Sequence, residues 1–361
     1  VLAQTCQDFE IVVVNDGSTD NGPKVVLATG DPRIRLFHQD NQGVSAARNH
    51  GIDAARADLI AFLDADDEWK SGFLQEIMRL RTKYPTASVF ATNYLFCDGE
   101  GRYGAPTIRG IPRHPWDGIL EDYFAIAARS DPPLWTSAVA VTKAAITSVG
   151  GFPVGVKNGE DLLTWARLAT NHRIAYSRQP CATFRRPQEV NDRPGRYRDT
   201  ADIVGQELRR LLLEVDSYNK RGLKKYISTW HRMRACIFLQ LGNRARALHE
   251  IRESARFAGM RPKLWAYRVC AAMPSSLSKR MIRWMIGGQR RLLNAFRRLC
   301  SRRLGELERA YYDVVGLFGE AARETLLFEN EGKHLYELRH LVSRGSAGAR
   351  VLDWESSTSI R

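Results

Sequence analysis

The sequence predicts an α/β protein in which a mostly parallel sheet flanked by helices is followed by an all-helical C-terminal region. Short β-branched runs alternate with helix-like segments through residues 1–187, as in successive βαβ units. From residue 202 onward nearly every segment has helical periodicity. The charge divides near the same place: residues 1–187 carry 20 basic and 21 acidic side chains, and the remainder carries 34 and 19. We therefore expect two parts with different partners.

The first half supplies its strands and helices in alternation. Residues 10–15 form a short, uninterrupted apolar run, typical of a strand buried on both faces, and it ends in the turn 16–20. Because parallel sheets bind ligands at the carboxyl ends of their strands, the acidic clusters at Asp16 and at 64–67 mark a candidate site. Further strands are predicted at 33–38, 59–63, 88–96, 136–142, 174–177 and 182–184, and helices at 44–57, 71–84, 119–127 and 162–170.

The second half begins after a polar segment with two prolines, and we place a linker at 188–201. A basic helical extension follows over 202–344, and a tail at 345–361 is expected to be disordered. Gly242 is predicted to end one helix before another begins at 244. The pair has a tetratricopeptide-like rhythm, but it occurs once, so we expect a lone hairpin packed on the first domain.

Composition and charge exclude several classes of protein. With 44% apolar and 26% charged residues the chain is not a disordered polymer. No apolar run approaches the ~20 residues of a membrane-spanning helix. The six cysteines lie far apart without a CxxC pair, which predicts neither a disulfide framework nor a zinc site and favours a reducing, cytoplasmic location.

Four motifs stand in a fixed order along the first half. They are Val-Asn-Asp-Gly-Ser-Thr-Asp at 14–20, Ala-Arg-Asn-His-Gly at 47–51, Phe-Leu-Asp-Ala-Asp-Asp-Glu-Trp at 62–69, and Gly-Gly-Phe at 150–152 with Gly-Glu-Asp at 159–161. Each is weak alone, but their order and spacing resemble the family 2 glycosyltransferases, inverting enzymes with the GT-A fold. The resemblance covers residues 1–187 and implies sugar transfer from a nucleotide-sugar donor to a glycan or lipid-linked acceptor hydroxyl, as in cell-envelope polysaccharide synthesis.

The Asp-x-Asp of the third motif suggests a divalent cation, Mn²⁺ or Mg²⁺. Asp64 and Asp66 stand two residues apart at a strand end, where alternate side chains point to the same side. Hard cations with oxygen ligands neutralise a pyrophosphate leaving group. By resemblance, Asp66 contacts the metal, and Asp64 contacts the ribose or shares the metal site. The alternative is that Asp66 or Asp67 caps a helix that begins near Glu68.

The resemblance also assigns the general base. Inversion requires an acceptor hydroxyl to attack from the face opposite the nucleotide, and a base must take its proton. Asp161 corresponds to that base, with Glu160 positioning the acceptor or a loop. Helix capping is the alternative for both residues, because they stand at a predicted helix start.

Further donor and acceptor residues follow from the same resemblance. Asp16 corresponds to the residue that meets the nucleobase, and Arg48 and Arg185 to arginines that contact the donor; turn formation or a solvated surface position is the alternative for Asp16 and Arg48. Trp135 and Ser137 resemble an acceptor-side segment, although a core tryptophan is an equal alternative. Pro187 stands where some family members have a histidine, a candidate extra metal ligand.

The front of the chain departs from the family pattern. Family members begin with a strand and a Pro-x-Tyr-Asn turn followed by a helix, whereas residues 1–5 resemble the end of that helix. We expect about 30 residues of a βα unit to be missing by this comparison. The 361-residue chain is therefore expected to bind donor weakly or to be inactive.

The basic extension suggests where the protein acts. Segment 278–303 is basic and amphipathic, with Gly287 and Gly288 dividing it into two helices. Such a segment suits contact with the inner face of an anionic membrane. The sequence shows no nucleic-acid-binding motif. The alternative is a solvated helical face that covers the first domain. Two other functions stay open: a catalytically silent, membrane-associated scaffold that keeps the fold, and a nucleotidyltransferase.

Overall fold

A computed structural model describes residues 1–98, 101–113, 115–185, 201–282 and 285. Residues 1–279 form one compact unit, so the first half and the described helices that follow it belong together. No helix among the described residues combines the length and the apolar character that a bilayer crossing demands.

The first elements of the chain form a βαβ unit. Strand β1 (Ile11–Asp16) leads through helix α1 (Gly22–Ala28) to β2 (Ile34–Gln39), and the two strands pair in parallel from Ile11 opposite Ile34 to Asp16 opposite Gln39. Within the described residues β1 pairs with β2 only, and all its residues stay partly exposed. The prediction that this strand is buried on both faces was therefore wrong, because such burial needs both faces of the sheet to be covered and every residue of β1 keeps some exposure.

A mixed seven-stranded sheet forms the centre of the molecule. Its order is β3-β8-β5-β9-β4, with β6 added to β5 and β7 to β9. Only β5 and β9 run parallel in this sheet; its other described pairs are antiparallel. The strands are β3 (Leu59–Ala61), β4 (Glu68–Trp69), β5 (Ala87–Cys97), β6 (Tyr103–Gly104), β7 (Asp117–Ile119), β8 (Val139–Thr142) and β9 (Arg173–Arg185). The α/β class is confirmed, while the mostly parallel pairing is replaced by a mixed one.

Helices cover both faces of this sheet. They are α2 (Val44–Ala54), α3 (Phe73–Lys83), α4 (Tyr123–Ala127), α5 (Lys143–Ser148) and α6 (Glu160–Asn171). Because side chains alternate along a strand, Phe90, Ala140 and Ala175 pack under α3, whereas the adjacent Val89, Val141 and Ile174 join the larger core on the opposite face. Trp165 of α6 is fully buried in that larger core.

Four further helices with defined bounds follow the sheet. They are α7 (Ile203–Glu214), α8 (Ser217–Leu241), α9 (Arg244–Ala258) and α10 (Pro262–Ala272). Helices α7 and α8 share the larger core of the sheet. Val204, Leu223 and Tyr226 are buried in the same cluster as Trp165. Thr229 of α8 also donates a hydrogen bond to the carbonyl of Ala128, just after α4. Of the predicted hairpin, helix α8 packs on the first domain.

Some element boundaries match the sequence predictions and others do not. Gly242 adopts the left-handed conformation that ends α8, as predicted. The alternative helix starting near Glu68 is wrong, since Glu68 lies in β4 and the next helix begins at Phe73. The two strands expected at 174–177 and 182–184 are one strand, β9. Most of the linker, the basic segment beyond 282 (residue 285 apart) and the tail 345–361 lie outside the described residues.

Candidate active site

The site is assembled where β3 ends and α2 and α6 begin. Strand β3 is followed by Asp64, whose backbone N–H donates to Oγ of Ser137 at 3.0 Å. This bond ties the Asp-x-Asp loop to the 3₁₀ turn Thr136–Ala138, which precedes β8. The loop is therefore held by a residue from another part of the sheet.

Arg48 of α2 connects two carboxylates that are distant in sequence. Its Nη2 lies 2.7 Å from Oδ1 of Asp64 and its Nη1 lies 3.3 Å from Oε1 of Glu160. Its guanidinium also stands over the ring of Phe152, 5.0 Å from the centroid. Burial alone would lower the pKa of Arg48, but the charge of Asp64 and then of Glu160 outweighs it, so this pKa is raised. Arg48 is thus a fixed cation at the centre of the cluster.

Glu160 and Asp161 begin helix α6. Gly159 precedes them in the left-handed conformation, with φ of 79° and ψ of 18°, which glycine adopts without steric cost. Burial, followed by the charge of Asp161, raises the pKa of Glu160 to about 7. Burial also raises the pKa of Asp161, whose Oδ1 accepts the N–H of Leu162 at 2.7 Å. The pKa of Asp161 is raised although the N–H groups of Leu162 and of Asp161 itself act to lower it, so this carboxyl holds a proton more readily than an exposed aspartate.

The cluster carries more negative than positive groups. The carboxyls of Asp64, Glu160 and Asp161 surround the one guanidinium of Arg48, and each raised carboxyl pKa reflects this crowding in part. A cation or a hydrogen-bonding substrate would relieve it. The donor set consists of carboxylate oxygens, so it fits Mg²⁺ or Mn²⁺ rather than a soft metal.

Asp66 and Asp67 are adjacent but differ in their surroundings. Asp66 is exposed, and no hydrogen bond or ion pair engages its side chain in the described part of the chain. Asp67 accepts from Trp135 Nε1 at 3.0 Å, from Ser137 Oγ at 2.6 Å and from the backbone N–H of Arg185 at 3.1 Å. Burial raises the pKa of Asp67 above its usual value. Asp66 is thus available to a ligand, whereas Asp67 fastens the loop to β9.

Asp16 joins the end of β1 to the start of α2. Its Oδ1 accepts from Gln39 at 2.8 Å and from the N–H of Gln42 at 2.9 Å, and its Oδ2 accepts the N–H of Gly43 at 2.8 Å. Burial alone would raise the pKa of Asp16, but these hydrogen bonds outweigh it and the pKa is lowered. The carboxylate therefore stays ionised, and it retains free acceptor capacity at Oδ2.

Arg185 lies at the end of β9 and is exposed. Its guanidinium pairs with Glu68, an interaction that raises the pKa of Arg185. Ser137 is fully buried, whereas Trp135 is partly exposed with its ring 4.2 Å from that of Phe184, centroid to centroid. These predicted residues surround Asp67.

A second polar cluster lies among helices α7, α8 and α9. Ligand-capable atoms of Asp202, His231 and Glu250 all lie within 4.8 Å of one another. Arg234 already supplies positive charge there, with its Nε 2.8 Å from Glu250 and 3.6 Å from Asp202. Nδ1 of His231 lies 2.6 Å from Glu250, and Arg209 stands 3.2 Å from the other ring nitrogen. The carboxylates are thus compensated within the protein, which fits a metal ion poorly.

Two features of the site were absent from the sequence predictions. The amide of Asn49 donates to the carbonyl of Phe152 and accepts its N–H, both at 2.8 Å, which ties α2 to the loop before α6. Asn49 and Phe152 occur in the quoted motifs, so their position was a usable signal. Tyr226 and Trp230 of α8 contact the start of α6, and no motif pointed to them.

Comparison with known proteins gives concordant matches. Residues 1–139 match the family model described as Glycosyl transferase family 2. An uncharacterized glycosyltransferase of Rickettsia bellii (strain RML369-C) is 30% identical over 176 residues, 48% of this chain and 24% of the relative. An uncharacterized glycosyltransferase of Nostoc sp. (strain PCC 7120) is 47% identical over 83 residues, 22% of this chain and 26% of the relative. The chain spans about a quarter of the length of these curated relatives.

A solved structure shares the fold over most of the chain. The crystal structure of S. aureus TarS 1–349 in complex with UDP-GlcNAc matches with a TM-score of 0.54 and 14% identity, covering 80% of this chain and 85% of TarS 1–349. At this identity the likeness concerns the fold alone.

Proposed function

We propose that the chain, whose residues 1–139 match the model of glycosyl transferase family 2 and which has the predicted GT-A fold, is an inverting transferase that moves a sugar from a nucleotide-sugar donor to a glycan or lipid-linked acceptor. In this proposal residues 1–187 form the catalytic domain, 188–201 the linker and 202–344 the basic helical extension.

The reaction requires one proton acceptor and no covalent nucleophile. An acceptor hydroxyl oxygen attacks the anomeric carbon, the bond from that carbon to the phosphate oxygen breaks, and the nucleoside diphosphate leaves. Asp161 takes the hydroxyl proton on a carboxylate oxygen, and its raised pKa makes it a better base than an exposed aspartate. Glu160, held by Arg48, positions the acceptor hydroxyl or the loop before α6.

A divalent cation would be held by Asp66 with Asp64. Asp66 is exposed and unengaged in the described chain, and Asp64 keeps one oxygen free of Arg48. When bound, Mn²⁺ or Mg²⁺ would neutralise charge on the leaving diphosphate. Asp67 would stay a structural residue that orients this loop.

The remaining predicted residues would contact the donor and acceptor. Asp16 stays ionised at the end of β1 and could accept the N3–H of a uracil base. Arg48 would act through Asp64 and Glu160, and the exposed Arg185 is available to the diphosphate after exchanging its partner Glu68. Trp135 would stack on a sugar through its exposed part, while the buried Ser137 supports Asp67. A UDP-sugar is the first donor to test, because TarS was crystallised with UDP-GlcNAc.

The observation that carries this proposal is the joining of Asp64 and Glu160 through Arg48, with Asp161 beside them. The test is release or transfer of sugar by the chain with Mn²⁺ and millimolar UDP-, GDP- or dTDP-sugars, a concentration that compensates for weak binding. Loss of turnover in both Asp66→Ala and Asp161→Asn supports the assignments. Unchanged turnover in both variants refutes them.

A peripheral contact with an anionic membrane is the second element of the proposal. Residues 254–305 contain no Asp or Glu. In the described part of that stretch, α10 exposes Trp265 and Val269, one turn apart, with side-chain exposures of 53% and 48%. Arg268 lies over the Trp265 ring at 5.7 Å, so charge and an amphipathic aromatic side chain share this surface. Anionic headgroups attract such a surface, and tryptophan enters the interface.

Vesicle sedimentation tests this contact. We expect binding to vesicles containing phosphatidylglycerol, weaker binding to pure phosphatidylcholine, and several-fold weaker binding for Trp265→Ala. Leu213→Ala is the matched control, since Leu213 is an 85% exposed apolar residue on α7. Equal binding to both lipids, or no effect of Trp265→Ala, would refute the contact.

A further inference from the structure

Helix α8 contacts the start of α6 at two positions that flank the carboxylates. Trp230 lies against Gly159, immediately before Glu160. The hydroxyl of Tyr226 donates to the carbonyl of Leu162, immediately after Asp161, at 3.4 Å. Residues 226 and 230 are one helical turn apart, so one face of α8 supplies both contacts.

The contact with Trp230 leaves no room for a side chain at position 159. A Cβ on Gly159 would lie 2.7 Å from both Cη2 and Cζ3 of the indole and 3.5 Å from Val204. Gly159 also has a positive φ of 79°, which glycine adopts without steric cost. Position 159 therefore requires glycine both for its backbone conformation and for the close approach of Trp230. The indole therefore fixes the backbone from which Glu160 projects.

Tyr226 belongs to an aromatic group beside Asp161. Its ring centroid lies 6.1 Å from that of Tyr123 and 5.8 Å from that of Phe124, both on α4. Burial raises the pKa of Tyr226, and the charge of Asp161 adds to this, so the phenol stays neutral and close to that carboxyl. Arg48, Asp64, Glu160 and Tyr123 also interact with the charge of Asp161.

Trp230 is itself fixed by the polar cluster of α7, α8 and α9. Its Nε1 donates to Oδ1 of Asp202 at 2.8 Å, and the same oxygen accepts the N–H of Gly205 at the start of α7. Arg234 stands 3.6 Å from Asp202 and 2.8 Å from Glu250. The buried ion pairs thus hold the indole that abuts the catalytic turn.

We propose that Tyr226 and Trp230 are positioning residues through which the helical region sets the geometry of Glu160 and Asp161. The expected effect on kcat rests on the proposed function, whereas the contact geometry does not. This positioning role makes α8 part of the catalytic apparatus, although α8 lies outside the segment that matches the family model. Displacement of a catalytic group by a fraction of an ångström lowers turnover without weakening donor binding.

Hydrogen–deuterium exchange tests the geometry without requiring turnover. We expect Trp230→Phe and Tyr226→Phe to speed amide exchange in a peptide covering residues 159–165, by about tenfold and about threefold, because both release the first turn of α6. Tyr218→Phe is the matched control, since Tyr218 lies on the same helix with 64% exposure. Exchange at the wild-type rate in both variants would overturn the proposal.

Kinetics separates positioning from simple stability. With UDP-GlcNAc at 20 °C, well below unfolding, we expect kcat to fall about tenfold in Trp230→Phe with KM for the donor unchanged. An unchanged kcat in Trp230→Phe would overturn the proposal. An equal fall in kcat in Trp230→Phe, Tyr226→Phe and the control Tyr218→Phe would overturn it as well. If Asp161→Asn keeps full activity while exchange still responds to Trp230→Phe, the proposed function fails and the positioning contact stands.

Discussion

Arg48 and Glu160 lie 112 positions apart in sequence, yet Nη1 of the arginine is 3.3 Å from Oε1 of the glutamate. The same guanidinium binds Asp64 at 2.7 Å. One buried cation therefore joins the Asp-x-Asp loop to the first turn of α6. The proposed metal-binding residues and the proposed base thus share one electrostatic centre.

Removal of Arg48 should destabilise the protein most at high pH. Arg48→Ala leaves three carboxylates without their cation, a change that costs about 3–5 kcal/mol for buried groups. At pH 5.5 protonation of Glu160, whose pKa is about 7, offsets part of the loss, so the deficit should be larger at pH 8. Urea unfolding at both pH values measures it. Arg33→Ala, in an exposed pair with Asp31, is the control and should change little.

The stability that Glu160 contributes should fall as pH rises. Its carboxyl has a pKa raised from 4.5 to about 7, so the folded state holds the proton more tightly than the unfolded state. Unfolding then becomes easier between about pH 4.5 and pH 7, by a few kcal/mol at most. Glu160→Gln cannot ionise, so its stability relative to the wild type should improve from pH 5 to pH 8. A difference that stays constant over this range would contradict the raised pKa.

Asp66 and Asp67 should respond oppositely to the same substitution. Asp67→Asn disturbs the hydrogen bonds from Trp135, Ser137 and Arg185, and should lower the free energy of unfolding by about 1–3 kcal/mol. Asp66→Asn should leave stability unchanged and weaken Mn²⁺ binding at least about tenfold, because it removes a carboxylate ligand. Thermal unfolding and calorimetry with Mn²⁺ provide the two readouts. If the two variants changed stability equally and Mn²⁺ binding equally, the different roles given to Asp66 and Asp67 would be contradicted.

Gly151→Ala should destabilise the loop before α6. Its φ is +67°, and a Cβ would lie 2.5 Å from Oδ1 of Asn49, the atom that accepts the N–H of Phe152. We expect a loss of about 2–4 kcal/mol, the sum of backbone strain and a broken hydrogen bond. Gly155→Ala is the matched control, because it has φ of +81° in open space and carries the strain alone. Equal losses in the two variants would show that the Asn49 contact adds nothing.

The sequence predicted the local structure better than the strand pairing. Apolar runs, turn residues and the glycine at 242 located most strands and helix ends, since these depend on near neighbours. The antiparallel entry of β8 between β3 and β5 depends on contacts some 50–80 positions apart, which no local pattern encodes. A mostly parallel sheet was therefore predicted where a mixed one forms.

In the candidate site, too, the sequence predicted the residues in local motifs but missed a long-range contact. The motifs located Arg48, Asp64, Glu160 and Asp161, and the fold brings them together. The contact of Trp230 with Gly159 had no sequence signal, because a tryptophan in a helix is most often a core residue. Only the structure shows that this core residue abuts the turn that carries the proposed base.

The most direct test of the account is time-resolved proton NMR of UDP-GlcNAc turnover by the chain with Mn²⁺, using water as the acceptor where no sugar acceptor is known. An inverting reaction with Asp161 as base predicts that the β anomer of the released sugar appears first. It also predicts that Asp161→Asn lowers the rate at least about a hundredfold while donor binding persists. First appearance of the α anomer, or wild-type turnover in Asp161→Asn, would contradict the account.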